Sequence, residues 1–347
     1  MSSRGTCRAV RKRSHVPSSH CDYGVRPMSW QSKFACWLLR WQFRPETTRE
    51  VLDPARARRF TDLRMIVPRR APSGYRLRQC HGPGDAPLRG EWLERTDSVA
   101  GRGPGRTLLY FHGGGYYFCS TKTHRPLVFG LTKRAGVRSF SLDYRLAPEN
   151  RFPAALDDAL AAYRQLLALG TPPESIVLGG DSAGGGLALA TLVALRDRGE
   201  PLPAGAILFS PWTDLAATGA TLRTNDGADP MFAGAALAKA AKLYLGDEPG
   251  TNPYASPLYA DFAGLPPLYI QVGSTEVLLD DSRRVAEKAK AAGGAVEIEV
   301  WPDMPHVWQL YAPMVPEARD ALDRAAAFLR RVAVERAVQR AGEASIA

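Results

Sequence analysis

The chain has 347 residues, of which 45% are hydrophobic, and its formal net charge is +10 at pH 7. This length and hydrophobic content are ample for one sizeable core plus a smaller cap. The five cysteines form no C-x-x-C pair, which argues against a zinc site or a disulfide framework and fits a cytoplasmic location. The chain has no run of about 18 apolar residues, so we expect no membrane-spanning helix and no stable membrane insertion.

Residues 1–27 are the most basic part of the chain. They contain six Lys or Arg residues and one acid, Asp22, and so carry +5 of the net charge of +10. The remaining charge is spread over a long chain without a clustered basic helix or a stacking motif, which argues against a nucleic-acid partner. The segment has no apolar periodicity and no apolar signal core, so we expect disorder and no secretion signal.

An amphipathic helix is predicted over residues 33–44. Phe34, Trp37, Leu38 and Trp41 recur at positions i, i+3, i+4 and i+7, which is the spacing of one helix face. Three interpretations of this apolar face remain open: it packs on the core, it lines an apolar pocket as part of a cap, or it lies on a membrane surface.

Strand-like apolar runs alternate with helix-like stretches along the rest of the chain, which is typical of a sheet covered by helices. Strands are predicted at residues 74–80, 90–96, 107–112, 137–142, 175–180, 204–210, 267–272 and 295–301. Helices are predicted at residues 121–135, 153–169, 183–198, 279–292 and 317–340. The stretch 213–262 interrupts the alternation and has the composition of an insertion.

A run of three glycines follows the third predicted strand, in the sequence His112-Gly113-Gly114-Gly115. Consecutive glycines let backbone N–H groups approach a ligand without an intervening Cβ, as in an oxyanion hole. A flexible loop or a phosphate cradle is the alternative, but neither Gly-rich phosphate-binding pattern is present. His112 is expected to stabilise this loop.

The pentapeptide Gly180-Asp181-Ser182-Ala183-Gly184 matches G-x-S-x-G, the nucleophile elbow. An apolar strand precedes it and an apolar helix follows it, and this strand–turn–helix context is what the motif requires. The alternative is a plain Gly-rich turn between a strand and a helix.

The other two members of a triad follow from chain order. In α/β-hydrolases with this elbow the order is Ser, acid, His, and His306 is the only histidine after Ser182. Glu276 is the first carboxylate after the strand at residues 267–272 and is the preferred acid. Asp280 is the alternative acid, although a carboxylate there also suits the start of a helix.

These motifs together resemble the hormone-sensitive-lipase-like family, also called bacterial family IV esterases. The matching segments are residues 112–116, 143–149, 152–155, 180–185, 210–214 and 273–281, and His306. The resemblance implies Ser182 as nucleophile, His306 as base, and the backbone N–H groups of Gly113, Gly114 and Ala183 as the oxyanion hole. Members usually have Asp as the acid, four residues ahead of another Asp; here Glu276 stands ahead of Asp280.

The expected fold is an α/β-hydrolase with a mostly parallel eight-stranded sheet, flanking helices and a small helical cap. The predicted division is a basic tail or start-site extension (1–27), cap helices (28–66), core (67–212), cap insertion (213–262), core (263–340) and tail (341–347).

The expected function is hydrolysis of small carboxylic esters with short to medium acyl chains, or of lactones, without a metal or organic cofactor. An amidase or deacetylase of a small natural product, and a non-catalytic ligand-binding protein on the same fold, are the alternatives. The resemblance leaves a homodimer open.

Overall fold

The computed structural model describes residues 27–65, 67–82, 84–97 and 106–344. The predicted disorder of residues 1–27 therefore lies outside the described residues, except for Pro27.

One eight-stranded sheet runs through the described part of the chain, in the order β1-β2-β4-β3-β5-β6-β7-β8. β2 is antiparallel to both of its neighbours, and the other strand pairs are parallel. The strands are β1 (Tyr75–Cys80), β2 (Gly90–Arg95), β3 (Thr107–Phe111), β4 (Arg138–Leu142), β5 (Ile176–Asp181), β6 (Gly205–Phe209), β7 (Leu268–Gly273) and β8 (Val296–Trp301). The predicted mostly parallel eight-stranded sheet is confirmed, and each strand end lies within one residue of its predicted position.

Ten α-helices are found in the same described residues. They are α1 (Trp30–Gln42), α2 (Arg44–Thr47), α3 (Pro54–Arg64), α4 (Arg125–Ala135), α5 (Ala154–Ala168), α6 (Ala183–Asp197), α7 (Thr221–Thr224), α8 (Gly234–Leu245), α9 (Leu279–Ala291) and α10 (Pro316–Ala344). Four predicted helix bounds are wrong by two residues or more. Two of them belong to α1, which runs over Trp30–Gln42 and not over residues 33–44. The other two lie later in the chain. The helix predicted from residue 121 begins at Arg125, where Pro126 occupies the first turn, and the last helix continues past residue 340 to Ala344.

Helices cover both faces of the sheet because the central strands are apolar on both sides. In β3, Leu108 and Tyr110 pack with α4 and α10. Leu109 and Phe111, which alternate with them, pack with α5, α6 and α9 on the opposite face. This alternation buries every residue of β3 and fixes the ends of the central strands at one edge of the sheet, where the loops carrying polar side chains begin.

The helices α1 to α3 and the helices α7 and α8 lie outside the strand–helix alternation. The first of these helices does not match its prediction: α1 ends at Gln42, and its predicted apolar face is not buried. Phe34, Trp37 and Trp41 are all more than half exposed. The buried side of α1 consists instead of Ser32, Ala35 and Leu39.

α1 packs on the core through Ala35, but the three large rings of its predicted apolar face take no part in this packing. The exposed aromatic side chains do not pack on the core, and none of them lines the pocket described below. The physical reason is that small Ala35 and Ser32 allow α1 to approach the rest of the protein closely, whereas the large rings fall on the opposite side of the same helix.

Candidate active site

Ser182 stands at the sharp turn between β5 and α6. Its backbone has φ +53° and ψ −123°, a conformation that costs a residue with a side chain about 1–3 kcal/mol. The turn is held because the Ser182 N–H donates to the carbonyl oxygen of Phe209, at 2.8 Å. A Cβ on Gly184 would overlap the carbonyl oxygen of Phe111, and one on Gly180 would overlap that of Gly184. The two glycines of the pentapeptide are thus required by close backbone approach.

Glu276 and His306 are brought together by the loops that follow β7 and β8. The Oε2 atom of Glu276 lies 2.7 Å from Nδ1 of His306. Glu276 is fully buried and His306 is 3% exposed. At this distance from a carboxylate, Nδ1 carries the proton, and Nε2 is left with its lone pair.

The second oxygen of the Glu276 carboxylate is also held. Oε1 accepts hydrogen bonds from the Ser210 hydroxyl at 2.7 Å and from the Gly273 N–H at 2.5 Å. The same Ser210 hydroxyl accepts from the N–H of Val307 at 3.3 Å. Val307 has φ +49°, which is unusual for a β-branched residue, and this bond fixes the strained backbone directly after His306. Ser210 therefore connects both loops, a role that the sequence motifs did not indicate.

Asp229 is a second polar residue that the sequence did not single out. It is buried, and its carboxylate accepts from the N–H groups of Met231, Phe232 and Val277 at 2.7 to 3.0 Å. It thereby joins the segment before α8 to the loop of Glu276. Burial raises the pKa of Asp229 above its ordinary value. In sequence this residue looks like part of a Gly- and Asp-rich turn, so no local pattern could have identified it.

His306 lies in an environment that favours its protonated form. Burial lowers the pKa of the imidazole, but the facing Glu276 carboxylate, with Asp229 and Asp181 behind it, raises the pKa above its usual value. Nε2 of His306 is buried and has no hydrogen-bond partner among the described residues. The Phe232 ring packs edge-on against the imidazole, with centroids 4.9 Å apart.

The loop after β3 corrects one predicted oxyanion donor. The N–H of Gly113 points at Nε2 of His124, 3.2 Å away, in the buried layer beneath the loop. Asp181 Oδ2 lies 3.0 Å from that same His124 nitrogen. The prediction of Gly113 as a donor is wrong, because its amide is directed into this buried network.

Three other backbone amides near Ser182 are unpaired. Within the described residues the N–H groups of Gly114, Gly115 and Ala183 have no hydrogen-bond acceptor. Ala183 is the first residue of α6, where a helix leaves N–H groups unsatisfied and favours negative charge. Gly115 lines the same pocket as Ser182. The glycine motif could not indicate the direction of each amide in this loop.

His112, the first residue of the glycine-rich loop, anchors that loop to the protein interior. It is completely buried, its ring stacks on Tyr144 with centroids 4.4 Å apart, and the Tyr144 hydroxyl donates to the His112 carbonyl oxygen at 2.7 Å. Burial, together with the neighbouring His124, lowers the pKa of His112 to about 4. His112 is therefore neutral and structural, in agreement with the expected role.

Asp280 is not placed beside His306. It lies in the first turn of α9, where its Oδ2 accepts from the Thr221 N–H at 3.1 Å and its own N–H donates to the Thr221 hydroxyl at 3.0 Å. Asp280, the alternative acid, therefore connects α9 to α7 by hydrogen bonds. The structure brings Glu276, and not Asp280, into contact with the imidazole.

A pocket of about 750 Å³, measured with its open mouth, contains Ser182 in its wall. Most of the lining residues are apolar. Most of them come from the region of α1 to α3 and from the region of α8, which lie outside the strand–helix alternation of the fold. The aromatic lining residues are Phe43, Phe60, Tyr117, Phe118, Trp212 and Phe232. Phe232 lines this pocket and also contacts His306, so the imidazole lies immediately behind the pocket wall.

Within the described residues there is no group of three or more His, Cys, Asp or Glu side chains that could hold a metal ion. No helix in that part of the chain has both the length and the apolar character needed to cross a membrane.

Comparisons with known proteins agree with this architecture. The family described as "alpha/beta hydrolase fold" matches residues 108–310. The chain is 48% identical over 252 residues to the acetyl-hydrolase of Streptomyces hygroscopicus, covering 72% of this chain and 83% of that protein. It is 39% identical over 245 residues to an esterase of Acinetobacter venetianus, covering 70% and 79% of the two chains.

A solved structure is also similar to this chain. An esterase from the bacterial hormone-sensitive lipase family superposes with a TM-score of 0.79 at 41% identity, covering 89% of this chain and 100% of that chain. The match of fold, length and sequence over most of both chains means that this protein is an esterase that belongs to the hormone-sensitive-lipase-like family of α/β-hydrolases.

Proposed function

We propose that Ser182, His306 and Glu276 form a catalytic triad that hydrolyses carboxylic esters through an acyl-enzyme. The observation that carries the proposal is the buried Glu276–His306 hydrogen bond of 2.7 Å, which leaves Nε2 of the imidazole unpaired behind the wall of the Ser182 pocket. A proton acceptor with this tautomer and position suits the activation of a serine hydroxyl.

In the first half-reaction the Ser182 Oγ attacks the ester carbonyl carbon while Nε2 of His306 takes the hydroxyl proton. Glu276 stabilises the imidazolium that forms. The negative charge on the tetrahedral oxygen is received by the N–H groups of Gly114, Gly115 and Ala183, which have no other acceptor in the described residues. His306 then gives its proton to the leaving alcohol, and an acyl group remains on Ser182.

In the second half-reaction His306 removes a proton from water, which attacks the acyl carbonyl. The bond between the acyl carbon and the Ser182 Oγ then breaks, His306 returns the proton to Oγ, and the acid leaves. Every proton is carried by His306, so neither half-reaction requires a metal ion or an organic cofactor. Removal of divalent metal by a chelator is accordingly expected to leave turnover unchanged.

We further propose that the preferred acyl groups are short. Trp212 and Tyr117 are almost completely buried and line the same pocket as Ser182. The naming of a relative as an acetyl-hydrolase supports acetyl esters as one substrate class. Lactones of similar size fit the same chemistry, because ring opening also proceeds through attack on an ester carbonyl.

The test compares kcat/KM for p-nitrophenyl esters from acetate to palmitate, beside a small lactone and an acetanilide. Acetate or butyrate is expected to be the best ester, and the anilide is expected to be slower because an amine is a poorer leaving group. Ser182→Ala is expected to lower kcat on the best ester by about 10⁶-fold. A preference for palmitate would contradict the short acyl pocket, and faster cleavage of the anilide would identify an amidase.

A further inference from the structure

Arg58 of α3 contacts two loops near the active site. Its Nε donates to the carbonyl oxygen of Tyr117 at 2.9 Å, and its Nη2 donates to the carbonyl oxygen of Ala147 at 2.9 Å. The guanidinium also forms two hydrogen bonds with the Glu149 carboxylate, at 2.8 and 2.7 Å. One side chain of α3 therefore connects the glycine-rich loop after β3 to the loop after β4.

The glycine-rich loop needs such a contact because its backbone is strained beyond the glycines. Tyr116 and Cys119 both have φ +65°, in the left-handed region that residues with side chains rarely adopt. A conformation of this kind persists only where the surrounding structure holds it by several contacts. The peptide unit of Tyr117 and Phe118 lies between the two strained residues, and Arg58 holds that unit by its carbonyl oxygen.

A chain of two hydrogen-bonded peptide units leads from Arg58 to the active-site pocket. In the first unit, the Tyr117 carbonyl oxygen accepts from Arg58. The N–H of the same unit belongs to Phe118 and donates to the carbonyl oxygen of Gly114 at 3.0 Å. The second unit consists of that carbonyl group and the N–H of Gly115. Because a trans peptide unit is planar, its C=O and N–H point in opposite directions, so the bond that fixes the Gly114 oxygen also fixes the Gly115 N–H.

The far end of this chain lies at the site of reaction. The Gly115 N–H has no acceptor in the described residues, and Gly115 lines the pocket that contains Ser182. Arg58 itself does not line this pocket. A cation at the start of a chain of hydrogen bonds polarises each peptide unit in turn, which strengthens the last N–H as a donor.

The ion pair with Glu149 does not account for this arrangement by itself. The side chains of Arg58 and Glu149 are 31% and 58% exposed, and an ion pair so open to water adds little stability. Its effect is to hold the guanidinium in place. The hydrogen bonds from Arg58 lower the pKa of Glu149 to about 2, so the carboxylate stays ionised at neutral pH. The other guanidinium contacts are then directed at the two backbone carbonyl oxygens.

We propose that Arg58 is a positioning residue for ester hydrolysis, which holds and polarises the Gly115 N–H through the two peptide units. This role rests on the proposed function, in which that N–H receives the oxyanion formed when Ser182 attacks the ester. Arg58 acts through the loop and not on the reacting atoms, so its loss weakens the stabilisation of the oxyanion and leaves the triad in place.

The test compares Arg58→Met and Arg58→Lys with the wild type in the hydrolysis of p-nitrophenyl acetate. Met removes all donors, whereas Lys keeps the charge but has a single ammonium in place of the planar fork. Removal of one oxyanion donor lowers kcat by about 10²- to 10³-fold, and a misdirected donor costs less. We expect kcat to fall by about 10- to 100-fold in Arg58→Met and by a smaller factor in Arg58→Lys, with KM changed by less than about threefold.

A trifluoromethyl ketone inhibitor tests whether the loss lies at the oxyanion. The Ser182 Oγ adds to its carbonyl carbon while His306 takes the hydroxyl proton, and the carbonyl oxygen becomes an oxyanion as in the tetrahedral intermediate. We expect the inhibition constant to rise in each Arg58 variant by about the same factor as kcat/KM falls. A purely structural role would lower the melting temperature and leave this constant unchanged in the folded enzyme.

Arg59→Met is the matched control, because Arg59 is the next residue of α3, is exposed and carries the same charge. It is expected to match the wild type in kcat and in inhibitor affinity. Glu149→Gln is expected to keep most of the kcat, because both carbonyl oxygens remain as acceptors for Arg58.

Wild-type kcat and inhibitor affinity in Arg58→Met, or in Arg58→Lys if Arg58→Met does not fold, would overturn the role of Arg58. So would an equal loss in Arg59→Met, or a loss of kcat without a loss of inhibitor affinity. Ser182→Ala is measured in parallel, and wild-type activity in that variant would overturn the triad instead. An inactive Ser182→Ala beside Arg58 variants with wild-type kinetics would overturn the role of Arg58 alone.

Discussion

The replacement Glu276→Gln tests the electrostatic part of the triad, because it keeps the size of the side chain and removes its charge. One oxygen of the new amide can still accept from the Ser210 hydroxyl and the Gly273 N–H, which hold Oε1 in the native protein. The amide nitrogen then faces Nδ1 of His306 at the position of Oε2. Because this nitrogen donates, Nδ1 must accept, and the proton of the imidazole moves to Nε2.

That tautomer cannot take a proton from Ser182, and the imidazolium loses the facing negative charge. We expect kcat/KM to fall by about 10³ to 10⁴-fold, the size of the effect known for Asp→Asn in a Ser-His-Asp triad. The carboxylate also raises the pKa of His306. Because the active base is the neutral imidazole, the wild-type kcat/KM is expected to decline as pH falls through a pKa above the ordinary value of about 6.5. In the variant this decline is expected at lower pH.

The assay is kcat/KM for p-nitrophenyl acetate from about pH 5 to about pH 9, with the melting temperature of each variant measured in parallel. Asp280→Asn is the matched control. Among the described residues the Asp280 Oδ2 accepts one hydrogen bond, from the Thr221 N–H, so the variant is expected to lose about 1 kcal/mol of stability or less and to retain most activity. If Glu276→Gln stays active and Asp280→Asn does not, the acid has been assigned to the wrong carboxylate.

Three further substitutions test contacts that hold the site and the surrounding fold. Ser210→Ala removes the hydroxyl that joins the two triad loops, and we expect a loss of about 1–3 kcal/mol in unfolding free energy and a lower kcat. Arg125, at the start of α4, and Glu91, in β2, form a buried ion pair with 2.5 Å between nitrogen and oxygen. Arg125→Met leaves the Glu91 carboxylate without this partner, and denaturant melts are expected to show a loss of about 3–5 kcal/mol in unfolding free energy, partly restored by adding Glu91→Leu. Gly184→Ala is expected to yield no folded enzyme by circular dichroism, because its Cβ overlaps a backbone carbonyl oxygen. Gly227→Ala, with open space around the new Cβ, is expected to fold. A native melting temperature for Gly184→Ala would contradict these assignments. So would an unchanged unfolding free energy in Ser210→Ala or Arg125→Met.

The sheet and the elbow could be predicted because their signals are local. A strand buried on both faces, such as β5, is a continuous apolar run, and the close packing around Ser182 demands glycine at fixed spacings. His306 followed from chain order alone. These features depend on residues that are neighbours in sequence or on an order that the fold imposes.

Other parts of the site depend on contacts between distant segments, and no local pattern encodes them. Ser210 acts on a carboxylate that lies 66 residues further along the chain. The Gly-rich motif could not show that the Gly113 amide faces His124, because this direction is set by the fold beneath the loop. Periodicity identified an apolar face on α1 but not which face of the helix meets the protein.

The central claim, that Ser182 is the nucleophile activated by His306, is tested most directly by covalent labelling with a fluorophosphonate and mass spectrometry of the digested protein. We predict one phosphonyl group per chain, located on Ser182, and complete loss of p-nitrophenyl acetate hydrolysis in the labelled enzyme. Labelling is expected to slow by several orders of magnitude in His306→Ala and to be absent in Ser182→Ala. A label on another residue, or unchanged ester hydrolysis by Ser182→Ala, would contradict the account.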